Sequence, residues 1–216
     1  MMFNRDGFNG RNITLKALVR LAYGVQDDQI AGPPDWAGFG KYDIEARVGD
    51  SPVDDAKDPG GIGIDKFKLM LQAVLADRFK LTLHKETKQL RVYALVVAED
   101  GPKFQEAKPG PNMVSLERGG GLVNQGATLE PLVEQLSMQL GRAVVDKTGL
   151  KGHYDFTLRW TPGEKKSAMS DEDGAPSDSA TSIRTAVREQ LGLRLEPLTA
   201  PMQVFVIDHV EQPTED

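Results

Sequence analysis

Apolar and polar residues alternate at strand period in two stretches of the chain. Tyr42, Ile44, Ala46 and Val48 fall on one face of the first, and Tyr154, Phe156, Leu158 and Trp160 on one face of the second. Each is preceded by a run with helical spacing. Leu15, Leu18, Val19 and Ala22 form one stripe, and Leu129, Leu132, Val133, Leu136 and Leu140 form another. Thr14 and Thr128 stand where a hydroxyl can accept a first-turn N–H, so each is read as an N-cap. Pro131 falls in the first turn, where its missing N–H is no loss. A second helical stripe follows in each half: Leu71, Val74, Leu75 and Phe79, then Ile183, Ala186, Val187 and Leu191. Two strands close each half, at 79–84 and 91–98 and at 191–196 and 203–210. Shorter apolar runs near Phe8, Ile30, Leu122–Val123 and Val144–Val145 predict short strands.

These segments recur in the same order and at nearly constant spacing. Thr14-Leu15-Lys16-Ala17-Leu18-Val19 returns as Thr128-Leu129-Glu130-Pro131-Leu132-Val133, and Lys41-Tyr42-Asp43-Ile44 as His153-Tyr154-Asp155-Phe156. The expected fold is therefore α+β: two tandem duplicated β-α-β-α-β-β units, each with two small helices on a small mixed sheet. The first repeat is placed at 1–100, a linker at 101–120 and the second repeat at 121–216. The linker is marked by Gly101-Pro102, Pro109-Gly110-Pro111 and Gly119-Gly120-Gly121. Polar loops at 49–64 and 161–180 precede the second helix of each half and are expected to be mobile.

Composition narrows the function classes. A net charge of −6 and a pI near 5.2 argue against nonspecific nucleic-acid or anionic-membrane binding, which needs a basic surface. No run reaches the roughly 18 apolar residues of a membrane span, so no membrane insertion is expected. No signal peptide is visible, because Met1-Met2-Phe3-Asn4-Arg5-Asp6 runs into polar sequence. The absence of cysteine removes disulfides, thiolate metal sites and cysteine nucleophiles.

Candidate chemistry is sparse. There is no Gly-x-Ser-x-Gly elbow, His-Glu-x-x-His or phosphate-binding loop. His84, His153 and His209 come from separate elements, which disfavours a histidine metal site. Carboxylates are the larger supply of ligands. Asp171, Asp173 and Asp178, with Asp146, are the candidate oxygen ligands for Ca²⁺, although an EF-hand would need Glu where Ser182 stands. The candidates for general base or water positioning are His153, Asp155 and Asp43. The repeated Tyr-Asp also has a structural reading, with Tyr42 and Tyr154 as core aromatics and the two aspartates outward or near a helix N-terminus. Trp36 and Trp160 read as packing residues.

The stretches Ile13–Arg47 (with Gly32-Pro33-Pro34-Asp35-Trp36), Met70–Leu81 and Val144–Leu158 (with Asp146-Lys147-Thr148-Gly149) resemble a soil-associated family of uncharacterised proteins expanded in acidobacterial genomes. The resemblance covers nearly the whole chain. It supplies no catalytic residues, because the family is a domain of unknown function. It implies export to the periplasm or cell envelope. Each half also resembles, in element order, the short N-terminal (STN) module of secretins and TonB-dependent transducers, which binds partner proteins.

Two readings of function follow. The first is an envelope-associated interaction module whose edge strands or helix grooves dock a protein or peptide. The alternative is a small hydrolase acting on an ester or lactone through carboxylate-bound Ca²⁺ in a cleft between the halves.

Overall fold

The computed structural model describes residues 2–4, 7–47, 64–108, 113–117, 120–160 and 178–213. In chain order the elements are β1 (Met2–Asn4), β2 (Gly7–Thr14), α1 (Leu15–Tyr23), β3 (Ile30–Ala31), β4 (Lys41–Arg47), α2 (Ile64–Arg78), β5 (Thr82–Val97) and β6 (Gln105–Ala107). They continue with β7 (Met113–Glu117), β8 (Gly121–Ala127), α3 (Glu130–Leu140), β9 (Val144–Asp146), β10 (His153–Arg159), α4 (Asp178–Leu191) and β11 (Leu193–His209). The mixed helix and strand content expected of an α+β chain is present. Among the described residues no helix is long and apolar enough to cross a membrane.

The chain forms two compact units. The first comprises Met1–Lys88 and Pro201–Asp216, the second Gln89–Ala200.

In the first unit β1, β2 and β4 make an antiparallel sheet in that order. The stripe read from the sequence is the buried face of α1, with Leu15, Leu18, Val19 and Ala22 fully covered. The helix starts as expected, because Thr14 Oγ1 accepts from Ala17 N at 3.3 Å. It stops at Gly24, whose φ of 65° is left-handed backbone that favours glycine. Phe67, Leu71, Leu75 and Phe79 from α2 and its C-terminal end pack into the same core, together with Phe205 and Ile207 from β11. β3 runs parallel to β11, with Ile30 opposite Phe205 and Ala31 opposite Val206.

In the second unit β6, β10, β8 and β7 form an antiparallel sheet in that order. Its core takes Leu132 and Leu136 from α3, Ile183, Val187 and Leu191 from α4, Tyr154, Phe156 and Leu158 from β10, and Leu95 from β5. Trp160 is buried in this core, in keeping with its reading as a packing residue. β9 runs parallel to β5, with Val144 opposite Tyr93 and Ala94 opposite Val145.

Four expectations are revised. The strand pairs placed at 79–84 with 91–98, and at 191–196 with 203–210, are each one long strand, β5 and β11. The segment Lys85-Glu86-Thr87-Lys88-Gln89-Leu90 contains no glycine, proline or Asn-Gly to turn the chain, so it stays extended. The compact units consequently differ in membership from consecutive repeats at 1–100 and 121–216, because residues 89–100 and 201–216 each belong to the other unit. The stretch read as a linker at 101–120 carries β6 and β7. α3 is capped one residue later than expected, at Leu129, and Thr128 Oγ1 accepts from Glu130 N at 3.4 Å. Residues 48–63 and 161–177, the bulk of the two polar loops, lie outside the described residues.

Candidate functional site

The repeated tyrosine and aspartate sit beside a bulge in each unit. In the first unit the β2–β4 register shifts between Gly10 and Ile13. In the second the β8–β10 register shifts between Tyr154 and Phe156. A bulge leaves a residue out of the ladder, and its N–H needs another acceptor. Asp43 Oδ1 accepts from Asn12 N at 2.8 Å, and Asp155 Oδ1 accepts from Gly126 N at 2.7 Å. Both donors are left-handed, with φ of 58° at Asn12 and 63° at Gly126. The aspartates therefore satisfy the bulge that turns each strand into its helix. This specifies the structural reading of the Tyr-Asp pair, with a bulge N–H as the partner.

The tyrosines complete the arrangement. Tyr42 stands edge-on to Phe79 with centroids 5.0 Å apart, and Tyr154 edge-on to Phe104 at 5.1 Å. Each hydroxyl lies back over the glycine two residues earlier. A Cβ on Gly40 would come within 2.9 Å of the Tyr42 hydroxyl, and one on Gly152 within 2.8 Å of the Tyr154 hydroxyl. Gly152 N donates to that hydroxyl at 3.1 Å. The repeated signature is thus Gly-x-Tyr-Asp, and each of its three fixed residues has a contact that accounts for it.

The residues singled out for chemistry are not gathered into one site. His153 and Asp155 share the outer face of β10, but no hydrogen bond joins them, and His153 lies opposite Ala107. Asp146 closes a turn, its Oδ1 accepting from Thr148 N at 2.8 Å and from Thr148 Oγ1 at 2.7 Å. Asp178 opens α4, while Asp171 and Asp173 lie outside the described residues. Among the described residues no three histidine or carboxylate side chains converge as a metal would require.

Two features escaped the sequence reading. The first is a charged cluster in the first unit. His84 Nδ1 lies 2.7 Å from Asp208 Oδ1, and its Nε2 lies 3.2 Å from Glu86 Oε1. Lys88 Nζ is 2.9 Å from the other oxygen of Glu86. The hydrogen bonds to Glu86 and then Asp208 raise the His84 pKa above its ordinary value. Lys88, and then His84, hold Glu86 below the usual carboxylate range. The cluster is exposed, and no hydroxyl nucleophile is hydrogen-bonded to His84, so it is a charge network on a strand surface. His84 and Asp208 are remote in the chain, and only the pairing of β5 with β11 brings them together.

The second feature is β7. It is an edge strand of its sheet, and all five of its residues are exposed. Met113, Val114 and Leu116 leave 56%, 38% and 61% of their surface open, which is unusual for apolar residues on a strand. Glu117 at its end is held by Arg159, with Nε to Oε2 at 2.9 Å and Nη2 to Oε1 at 3.2 Å. That pairing lowers the Glu117 pKa. A sequence signal for β7 existed in Val114 and Leu116, two apart and followed by a glycine-bearing connection to β8.

A protein-family model described as "Protein of unknown function (DUF3738)" matches residues 16–210. No curated protein and no solved structure matches the chain.

Proposed function

The chain belongs to the DUF3738 family of proteins of unknown function, and from its geometry we propose that it is a binding module that takes up an extended protein segment along the outer edge of β7. The observation that carries this reading is the open, apolar edge strand Met113–Glu117. Edge strands are normally blunted by lysine, proline or a bulge, because their free N–H and C=O groups recruit other strands. β7 has no proline or lysine, and its pairing with β8 is regular from Met113 to Glu117. A partner strand would add its main-chain hydrogen bonds to this edge, and Val114 and Leu116 would meet alternate side chains of that partner. The resemblance of each half to STN modules favours the same class of function, and the resemblance to the soil-associated family is what favours the cell envelope as the location.

The test is selection of extended peptides from a displayed library against the whole chain. Selected peptides are expected to bind, and the pair Val114→Lys and Leu116→Lys to weaken them roughly tenfold or more. Both positions are exposed, so unfolding is not expected to intervene. Peptides that bind the double variant equally well would sink the β7 reading. For location, recovery of the native protein in the cytosolic fraction of its source cells would overturn the envelope assignment.

A further inference from the structure

We infer that the two halves of this chain are copies of one fold that have exchanged their last strands, so that each compact unit is completed by a strand from the opposite half. The first line of support is where the units divide. The breaks fall after Lys88 in β5 and after Ala200 in β11. The spacing between those two residues is the spacing that separates Tyr42 from Tyr154 and Asp43 from Asp155. Compactness and sequence repetition are independent properties, yet they mark equivalent points in the two strands.

The second line is the neighbour of each exchanged strand. Beyond the break, β11 enters the first unit and lies parallel to β3, Phe205 opposite Ile30. Beyond its own break, β5 enters the second unit and lies parallel to β9, Tyr93 opposite Val144. Tyr93 and Phe205 are equivalent positions, and so are Leu95 and Ile207. The substitution is therefore like for like: Phe205 and Ile207 fill the core of the first unit, and Leu95 fills the core of the second. Each exchanged strand is tied down at its far end inside its adopted unit. Glu211 N donates to Phe79 O at 2.7 Å in one, and Ala98 N to Gly192 O at 2.9 Å in the other.

The third line is the hinge. In an unexchanged copy, residues 79–84 and 91–98 would fold back as a hairpin and residues 85–90 would turn. Those six residues carry no glycine, asparagine or aspartate for a tight hairpin turn, and the equivalent stretch, although it contains Pro197 and Pro201, also lacks all three and is likewise extended within β11. A hinge that resists turning favours exchange over closure, which is the usual condition for strand swapping. The consequence is mechanical: neither half contains a complete unit, so the two units fold and unfold together.

The test uses the full chain with a site-specific protease sequence built into the turn at Asp100–Gly101, on its exposed Asp100 side, and cut after folding. The two pieces are expected to co-elute at the mass of the uncut monomer and to separate only in denaturant. Engineered cysteine pairs then report which strand completes which unit, against a background free of cysteine. Ala31→Cys with Val206→Cys, and separately Ala94→Cys with Val145→Cys, are expected to join the two pieces on a denaturing gel when each thiol adds to one end of a short bismaleimide. Ala31→Cys with Ala94→Cys, the pair that an unexchanged hairpin would bring together, lies within one piece and is expected to give no internally cross-linked form of that piece by peptide mass mapping. Linking by that third pair in place of the first two would overturn the exchange. So would cut pieces that part into separately folded species without denaturant, an observation on the cysteine-free protein that survives if any variant fails to fold. An uncut chain that elutes as a dimer would overturn the intramolecular form.

Discussion

Ahead of α1 the left-handed residue of the bulge is Asn12, and the residue two places earlier is Gly10; ahead of α3 the left-handed residue is Gly126, and the residue two places earlier is Asn124. The same two residue types stand in opposite order. Glycine suits a left-handed position without steric penalty, and asparagine is the side-chain-bearing residue that tolerates it best. The other position decides how well the bulge is braced. Asn124, almost fully buried, donates from Nδ2 to Ala127 O at 3.0 Å and to Tyr154 O at 2.9 Å. Gly10 has no side chain to do this, and in the first unit the brace seen among the described residues is Asp43. Equivalent backbone is thus held by two side chains in one unit and one in the other.

The sharpest way to break this comparison is Asn124→Ala. Two buried carbonyls lose their donor, at a cost of about 2–3 kcal/mol. The expectation is a lower urea midpoint with an unchanged slope. A change below about 0.5 kcal/mol would show that the brace carries no weight. The aspartates come next. Asp155→Ala removes a partly buried, charge-assisted bond and is expected to cost about 1.5–2 kcal/mol, while Asp43→Ala, whose bond faces solvent, is expected to cost about half of that. Equal losses in the two variants would overturn the ranking of the units.

The smallest effect separates the units by pH. His84 has Glu196 as its equivalent in the second half, where Arg194 Nη2 pairs with Glu196 Oε1 at 2.7 Å. The first unit's part of these strands carries His84 facing Glu86 and Asp208, with Lys88 behind Glu86, and His209 facing Glu211, whereas the second unit's part carries no histidine. Because the folded-state pKa of His84 is raised, its contribution is fully present below its ordinary value near 6.5. That contribution is lost as pH rises through the higher folded-state value. Amide exchange, corrected for intrinsic rates, is expected to show weaker protection at 82–86 and 206–209 at pH 8.5 than at pH 5.5, with no such change at 194–198. His84→Gln is expected to abolish the difference. A change of equal size at 194–198 would show that the histidine is not its source.

Much of the fold was legible because it rests on local periodicity. The stripe Leu15, Leu18, Val19 and Ala22 and the alternation of Tyr154, Phe156 and Leu158 are buried as read, since one helix face or one strand face must leave water. The repeated Tyr-Asp pair was visible, but its purpose and the glycine two residues before it were not, because the N–H that Asp155 satisfies belongs to Gly126 on another strand. The candidate site was the least legible part. The apolar pair in β7 lay between glycine and proline clusters that read as a linker, and the partner of His84 sits on β11, far along the chain.

By itself, then, the sequence determined the elements, the faces they bury and the residues that recur, because each of these is set by neighbours within a few positions. Which strand completes which unit was decided only in three dimensions. Residues 91–98 and 203–210 carry the same apolar pattern, so either would suit the vacant place beside β3 or β9. Pattern alone cannot choose between equivalent strands. The choice falls to the hinge, where a segment without turn residues keeps β5 straight from Thr82 to Val97 and carries it past its own half.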